Sequence, residues 1–278
     1  MLSIEQHEVI KTFQQGRNIA ITAVPGAGKT ETIVNLASAL NGQSVILTYN
    51  KALQMETKSR IPDVNVYTFH AFMGHIIGEI GKVWNDADYI RGIETLKDSG
   101  CHFLVRGIKN VIIDEVQDLS PLLHAGILLI LKLINAPHIA LFGDPGQLIK
   151  VWGDEKSRGN GAYLSYPTAF FPENGMNWIS MNLGVSFRLS EKNTQFINGL
   201  GWTQIQPGND STNHLPEFYI IKTGDIPNVC AYLDSIILEY GSKNVIFIAQ
   251  STKTTGRLPR FVNFLSEHYG HNFLLVRG

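Results

Sequence analysis

Cysteine is nearly absent: Cys101 and Cys230 are the whole supply in a chain of 278 residues. Two thiols so far apart exclude a disulfide-built scaffold and fit a reducing, intracellular setting. Neither charge is in excess, with 23 Lys and Arg against 24 Asp and Glu. The chain therefore projects no general basic field toward nucleic acid, and any basic contact must be confined to a groove. Long apolar runs are missing too. The longest, LLHAGILLILKLI at 122–134, is too short to cross a bilayer and is broken by His124 and Lys132. It predicts a buried helix and no membrane partner. The opening residues, MLSIEQHEVI, carry acids and lack the apolar centre of a secretory leader. The nine histidines show no HExxH spacing and the cysteines no paired spacing, which argues against a protein-built zinc site. No internal repeat or low-complexity tract is present.

What the chain does have is alternation. Short β-rich runs, NIAIT (18–22), SVILTY (44–49), NVYTF (65–69), NVIIDE (110–115) and HIALFGD (138–144), are separated by segments of helical period such as KTETIVNLASAL (29–40). Alternation of this kind predicts an α/β fold with a parallel sheet flanked by helices. The continuous apolarity of VIID and IALF suits strands buried on both faces. Texture changes at 153–182, where Gly, Pro and Asn accumulate and a surface excursion is expected. After SFRLS the alternation resumes, with helices expected in SEKNTQFINGL, DIPNVCAYLDSIILEYG and RLPRFVNFLSEHYG, and strands in EFYIIK, NVIFIAQ and NFLLVRG. The expected boundary is near 185: a first unit at 1–185, with a short helical insertion at about 72–109, and a second α/β unit at 186–278.

Three stretches carry chemistry. ITAVPGAGKT (21–30) is a strand, a glycine turn and a helix start. Backbone N–H groups from Gly26 to Thr30 would cradle a β-phosphate at the helix N-terminus. Lys29 would bridge the β- and γ-phosphates, and the Thr30 hydroxyl would bind Mg²⁺. A strict pattern has Gly where this chain has Ala23, so Ala23, Pro25, Gly26, Ala27, Gly28, Lys29 and Thr30 are the expected triphosphate contacts. In VIIDEVQDLSP (111–121) an apolar strand ends in two acids. Asp114 would hold the Mg²⁺ and Glu115 would polarise an attacking water. In LFGDPGQLIKVW (141–152) another strand ends in an acid, followed three residues later by Gln147.

Taken together, the Ala-first phosphate loop, VQDL after the paired acids and GDPxQ resemble the superfamily 1 helicases of the UvrD/Rep type, the F-box DNA helicase branch especially. Other motifs fall in order: LSIEQ (2–6) resembles the Q motif, LTYNKALQMETKSR (47–60) motif Ia, VYTFHAF (66–72) motif Ib and NLGVSFRLS (182–190) motif IV. The resemblance implies a RecA-like P-loop domain followed by a partial second one. It implies that Gln6 reads the adenine edge and that Phe187 stacks on adenine. It further implies that Gln147 and Arg188 reach the γ-phosphate from the first and second domains, beside the catalytic Lys29 and Glu115. A moving single strand also needs aromatic platforms. Tyr49, Asn50, Phe69, His70 and Trp152 follow expected strands at the sheet's carboxyl edge and are the candidate nucleic-acid contacts. By resemblance Trp152 is the best stacking candidate, although core packing competes for Trp152 and more strongly for Phe69, and a buried hydrogen bond competes evenly for His70.

The chain departs from that family in three places. Lys150 stands where relatives usually carry an aromatic residue, residues 70–110 are short for an accessory subdomain, and nothing resembling motifs V and VI follows. The expectation is an ATP-dependent translocase core on single-stranded DNA, with RNA a weaker candidate, of 3′→5′ polarity, using ATP and Mg²⁺. It would be a truncated form, or one that a protein partner completes, with slow hydrolysis and little unwinding by itself. The competing expectation is an ATP- and nucleic-acid-binding module without motor action. A small-molecule kinase has no use for GDPxQ or SFR.

Overall fold

A computed structural model describes residues 2–40, 42–49, 51–99, 107–135, 138–147, 162–172, 178–201, 204–208, 226–241, 243, 245 and 257–271. In chain order the elements are α1 (Ile4–Gln14), β1 (Asn18–Ala23), α2 (Lys29–Ser38), β2 (Ser44–Thr48), α3 (Lys51–Arg60), β3 (Asn65–Thr68), α4 (Phe69–Ile76) and α5 (Asp86–Ser99). There follow β4 (Asn110–Ile113), α6 (Pro121–Ile134), β5 (His138–Gly143), the short α7 (Ala162–Ser165) and α8 (Pro167–Phe170), β6 (Trp178–Leu183) and β7 (Val185–Ser186). Then come α9 (Glu191–Gly199), β8 (Gln206–Pro207), α10 (Ile226–Tyr240) and α11 (Arg257–Tyr269).

Six strands form one sheet in the order β3-β2-β4-β5-β1-β6, every neighbouring pair parallel. Alternate residues of its strands feed two apolar layers. Ala20, Val45, Leu47, Val111, Ile113 and Leu141 pack with Phe72 and Met73 of α4, Tyr89 of α5 and Leu123 and Ile127 of α6. Ile19, Ile21, Ile46, Ile112 and Phe142 pack on the other face with Val9 and Phe13 of α1 and Ile33 and Leu36 of α2. Helices thus cover both faces, and the α/β P-loop architecture expected from the sequence is present.

Local signals start several of these helices. Ser3 and Gln6 form a reciprocal capping box on α1: the Gln6 N–H donates to Ser3 Oγ (3.2 Å), and the Ser3 N–H to Gln6 Oε1 (2.8 Å). Thr68 caps α4, and Ser120 with Pro121 starts α6. The stretch read as a surface excursion ends differently from that reading. Trp178–Leu183 is a sixth strand, in parallel register with all of β1. As an edge strand it is only partly buried, so its apolar signal is diluted.

The chain divides into two compact units, residues 1–215 and 216–278. Packing parts the chain beyond the expected position near 185, and Ser186 and Phe187 are bonded to the phosphate loop of the first unit. In the second unit α10 and α11 bury Cys230, Ile237 and Leu265, and His271 pairs with Asp234 at 2.6 Å. The strands expected in EFYIIK, NVIFIAQ and NFLLVRG lie outside the described residues.

The contact of α5 with α6 is unusually close. A Cβ on Gly126 would lie 2.4 Å from Tyr89 Cε1 and 2.6 Å from its hydroxyl. Gly→Ala inside a helix ordinarily gains up to about 1 kcal/mol. Here Gly126→Ala should instead lower stability by about 1–3 kcal/mol through overpacking, read from urea unfolding. A gain would show that the Tyr89 ring moves aside freely.

Candidate functional site

Because β1, β4 and β5 are parallel, their carboxyl ends open on one edge, and the three motif loops leave from that edge. After β1 the chain turns through Gly26 and Gly28, both at positive φ (76° and 74°), before α2 begins at Lys29. Positive φ is one reason for glycine there. The other is contact, since a Cβ on Gly26 would come within 2.6 Å of Arg188 Cβ, and one on Gly28 within 2.5 Å of Gln6 Nε2. Thr30 is the second residue of α2, where unsatisfied helix N–H groups gather. Ala23 is buried at the end of β1, Pro25 partly so, and Ala27 N–H closes the turn onto the Val24 carbonyl (3.1 Å).

The Lys29 ammonium crosses to the ends of β4. Its Nζ lies 2.5 Å from Glu115 Oε2 and 3.3 Å from Asp114 Oδ1. Burial acts to lower the Lys29 pKa, but the two carboxylates outweigh it and hold the ammonium above its ordinary value. Asp114, only 2 % exposed, is pushed above the ordinary carboxylate range by burial, with Lys29 opposing and Glu115 adding to the rise. Glu115 adopts a left-handed backbone (φ 52°) and donates its N–H to Asp114 Oδ1 (2.9 Å). A non-glycine residue held there stores local strain, as functional turns often do.

Asp144 at the end of β5 organises the third loop. Its Oδ1 accepts the Gly146 N–H (2.9 Å) and its carbonyl the Gln147 N–H (3.0 Å). Gln147 itself is exposed in the 3-10 turn Pro145–Gln147. Between the second and third loops lies Gln117, part of VQDL but given no role by the sequence. Its Nε2 donates to Glu115 Oε2 (2.7 Å), and its Oε1 accepts the Asp144 N–H (3.1 Å).

The SFR segment sits on the phosphate loop. Phe187 N–H donates to the Gly26 carbonyl (2.9 Å) and the buried Ser186 hydroxyl to the Pro25 carbonyl (2.7 Å). Ser186 Oγ in turn accepts the N–H groups of Arg188 (3.4 Å) and Leu189 (3.1 Å). Phe187 is 45 % exposed and Arg188 is exposed beside it, so both side chains remain available at the mouth of the loop. Sequence reasoning passed over Ser186, whose small size and single hydroxyl were the available signal.

Several expected site residues behave otherwise. Gln6 is 2 % exposed and its amide is used within the chain: Nε2 reaches the carbonyls of Ala27 and Gly28 (3.2 Å each), and Oε1 the Ser3 N–H. Its amide thereby braces the phosphate loop. Phe69 is 1 % exposed and packs in the core with Phe72 and Met73, which leaves no ring face on which a base could stack. His70 pairs with Asp86 (3.3 Å) and meets the Tyr89 ring edge-on. Tyr49 is partly buried at the end of β2. Asn50, Lys150 and Trp152 lie outside the described residues.

Among the described residues no group of three or more His, Cys, Asp or Glu could hold a metal by itself. Mg²⁺ needs no such group, since one or two carboxylates plus substrate phosphates suffice. The hard oxygens of Thr30 and buried Asp114 fit that mode. No helix among the described residues is long and apolar enough to cross a membrane.

A family model described as an AAA domain matches residues 6–153. No curated protein matches the chain significantly. Among solved structures, Pif1 helicase from Candida albicans is 18 % identical with a TM-score of 0.48, over 85 % of this chain and 55 % of that one. Bacteroides sp Pif1 in complex with ADP-AlF4 is 18 % identical with a TM-score of 0.45, over 72 % of this chain and 45 % of that one. An arterivirus nonstructural protein 10 helicase with DNA is 14 % identical with a TM-score of 0.43, over 79 % and 47 %. The chain spans about half the length of these structures.

If Gln6 braces the loop, Gln6→Ala should weaken ATP and GTP binding by the same factor and cost about 1–3 kcal/mol of stability through unpaired buried carbonyls. Titrating both nucleotides checks this. A loss confined to ATP would make Gln6 a reader of the base.

Proposed function

The chain belongs to the AAA domain family, and on that premise we propose that it binds ATP with Mg²⁺ and hydrolyses it as the core of a helicase acting on single-stranded DNA with 3′→5′ polarity. One observation carries the hydrolytic part: the Lys29 ammonium, rooted at the N-terminus of α2, lies against both Asp114 and Glu115. A phosphate loop, a metal-binding acid and a water-activating acid are thereby gathered at one sheet edge, and a triphosphate requires all three together.

The roles follow from where the groups sit. The backbone N–H groups of Gly26, Gly28, Lys29 and Thr30 bind the β-phosphate, and Lys29 exchanges its carboxylate partners for the β- and γ-phosphates. Thr30 and Asp114 would hold Mg²⁺, which when bound neutralises phosphate charge. Once relieved of Lys29, Glu115 takes a proton from the water that attacks the γ-phosphorus; the bond to the β–γ bridging oxygen breaks, and ADP and phosphate leave. Gln147 and Arg188 face the charge that develops on the γ-phosphate, and Phe187 offers its ring to the adenine. The exposed Phe187 is bonded to Gly26, and Arg188 to Ser186, which itself bonds Pro25; this favours their acting on a nucleotide in this loop. The helicase assignment rests on the order of motifs from LSIEQ to SFRLS. Tyr49, Asn50, His70 and Trp152 are the strand contacts retained from that reading.

Steady-state ATP hydrolysis, with and without single-stranded DNA, tests the proposal. Glu115→Gln should lower kcat by about 10²–10⁴-fold while nucleotide still binds. Lys29→Ala should abolish hydrolysis. Survival of hydrolysis in Lys29→Ala would overturn the phosphate-loop assignment, and hydrolysis indifferent to DNA would reduce the chain to a nucleotide-binding module without motor action.

A further inference from the structure

We infer that Gln117 is the positioning residue that joins the water-activating carboxylate to the Gln147 turn, so that the two act on the γ-phosphate as one unit. The inference rests on the hydrolytic reading of Glu115 and Gln147 given above.

The geometry is two-sided. At one end the Gln117 amide nitrogen donates to Glu115 Oε2 at 2.7 Å; at the other its amide oxygen accepts the Asp144 N–H at 3.1 Å. The partners leave one orientation of the amide: turned over, it would set oxygen against carboxylate and N–H against N–H. Asp144 then carries the bond onward, since its carboxylate accepts from Gly146 and its carbonyl from Gln147. A single side chain, 1 % exposed, therefore spans the ends of β4 and β5. The space it occupies is reserved for it, because a Cβ on Gly143 would lie 2.5 Å from Gln117 Oε1. That contact explains the first glycine of GDPGQ.

The bond matters most when nucleotide arrives. Lys29 and Gln117 both converge on Oε2 of Glu115. When Lys29 turns to the phosphates, Gln117 is the contact of the two that stays. It then holds Oε2 and leaves Oε1 to take the proton from water. Through Asp144 the same side chain registers Gln147 against that carboxylate. Misplacement of a catalytic group by about 1 Å can cost about 10²-fold, so losing the bridge should be felt in the chemical step and little in binding.

The experiment measures kcat and ATP affinity, the latter by direct nucleotide titration, in the full chain and in Gln117→Met, Gln147→Ala and the double variant. Gln117→Met keeps length and volume but neither donates to Glu115 nor accepts from Asp144. We expect kcat to fall about tenfold or more, with affinity changed by less than about threefold. We also expect the double variant to lose less than the product of the two single losses, because both changes break one linked unit. A purely structural role would reduce affinity together with kcat and combine multiplicatively with Gln147→Ala. If Gln117→Met does not fold, Gln117→Glu retains the acceptor for Asp144 while facing Glu115 with an oxygen, and the same kcat loss is expected. Hydrolysis by a folded Gln117 variant within about twofold of the parent would overturn this assignment alone. No hydrolysis by the parent chain would overturn the hydrolytic reading and this assignment with it.

Discussion

Burial lowers the pKa of the Lys29 ammonium, and Asp114 and Glu115, 3.3 and 2.5 Å away, outweigh it and hold the group above its ordinary value. Each partner solves the other's problem. Asp114, inside the sheet edge, has its charge disfavoured by the same burial, and the ammonium offsets part of that cost. On the proposed reading the balance stays exchangeable, since a highly charged ligand needs groups whose present partners can be given up. Positive charge beside helix N–H groups, with two acids opposite, is an arrangement that a metal-bound triphosphate completes.

That pairing depends on the sheet. Parallel strands deliver all their carboxyl ends to one edge, so a phosphate loop after β1 and the acids after β4 open together although β5 lies between them. The spacing across that gap is bridged by side chains, Lys29 reaching one way and Gln117 the other. Glycines at 26, 28 and 143 are what let the bridging and bracing groups come so close. Substituting any of them would push apart pieces that the site needs together.

The loop is also held from outside the β1–α2 unit. Gln6 braces it from the first helix and Ser186 from the segment after β6, each through the loop's own carbonyls. Two distant parts of the chain thus fix the conformation of the loop. The Ser186 side of that clasp brings Phe187 and Arg188 to the loop's mouth, and it groups residues 186–215 with the first compact unit.

The sequence by itself determined the class of fold and set the glycine turn and the paired acids at the ends of strands. Apolar runs such as VIID and IALF, the capping residues Ser3 and Ser120, and the glycine turn before Lys29 act over a few neighbouring residues, so their meaning survives without the rest of the molecule. Tertiary structure decided which of these residues face outward and which are used up. Phe69 was legible as an aromatic at a strand end, but only the packing of α4 against the sheet made it core. Gln6 was legible as polar near the nucleotide loop, but its amide is consumed by carbonyls 21 and 22 residues away. Gln117 bonds an N–H 27 residues on, Ser186 a carbonyl 161 residues back, and the edge strand β6 exists through its pairing with β1. Periodicity and spacing report the local conformational preferences of a chain. Burial and the choice of hydrogen-bond partner are set by segments remote in sequence, and they exist only once the sheet has brought those segments together.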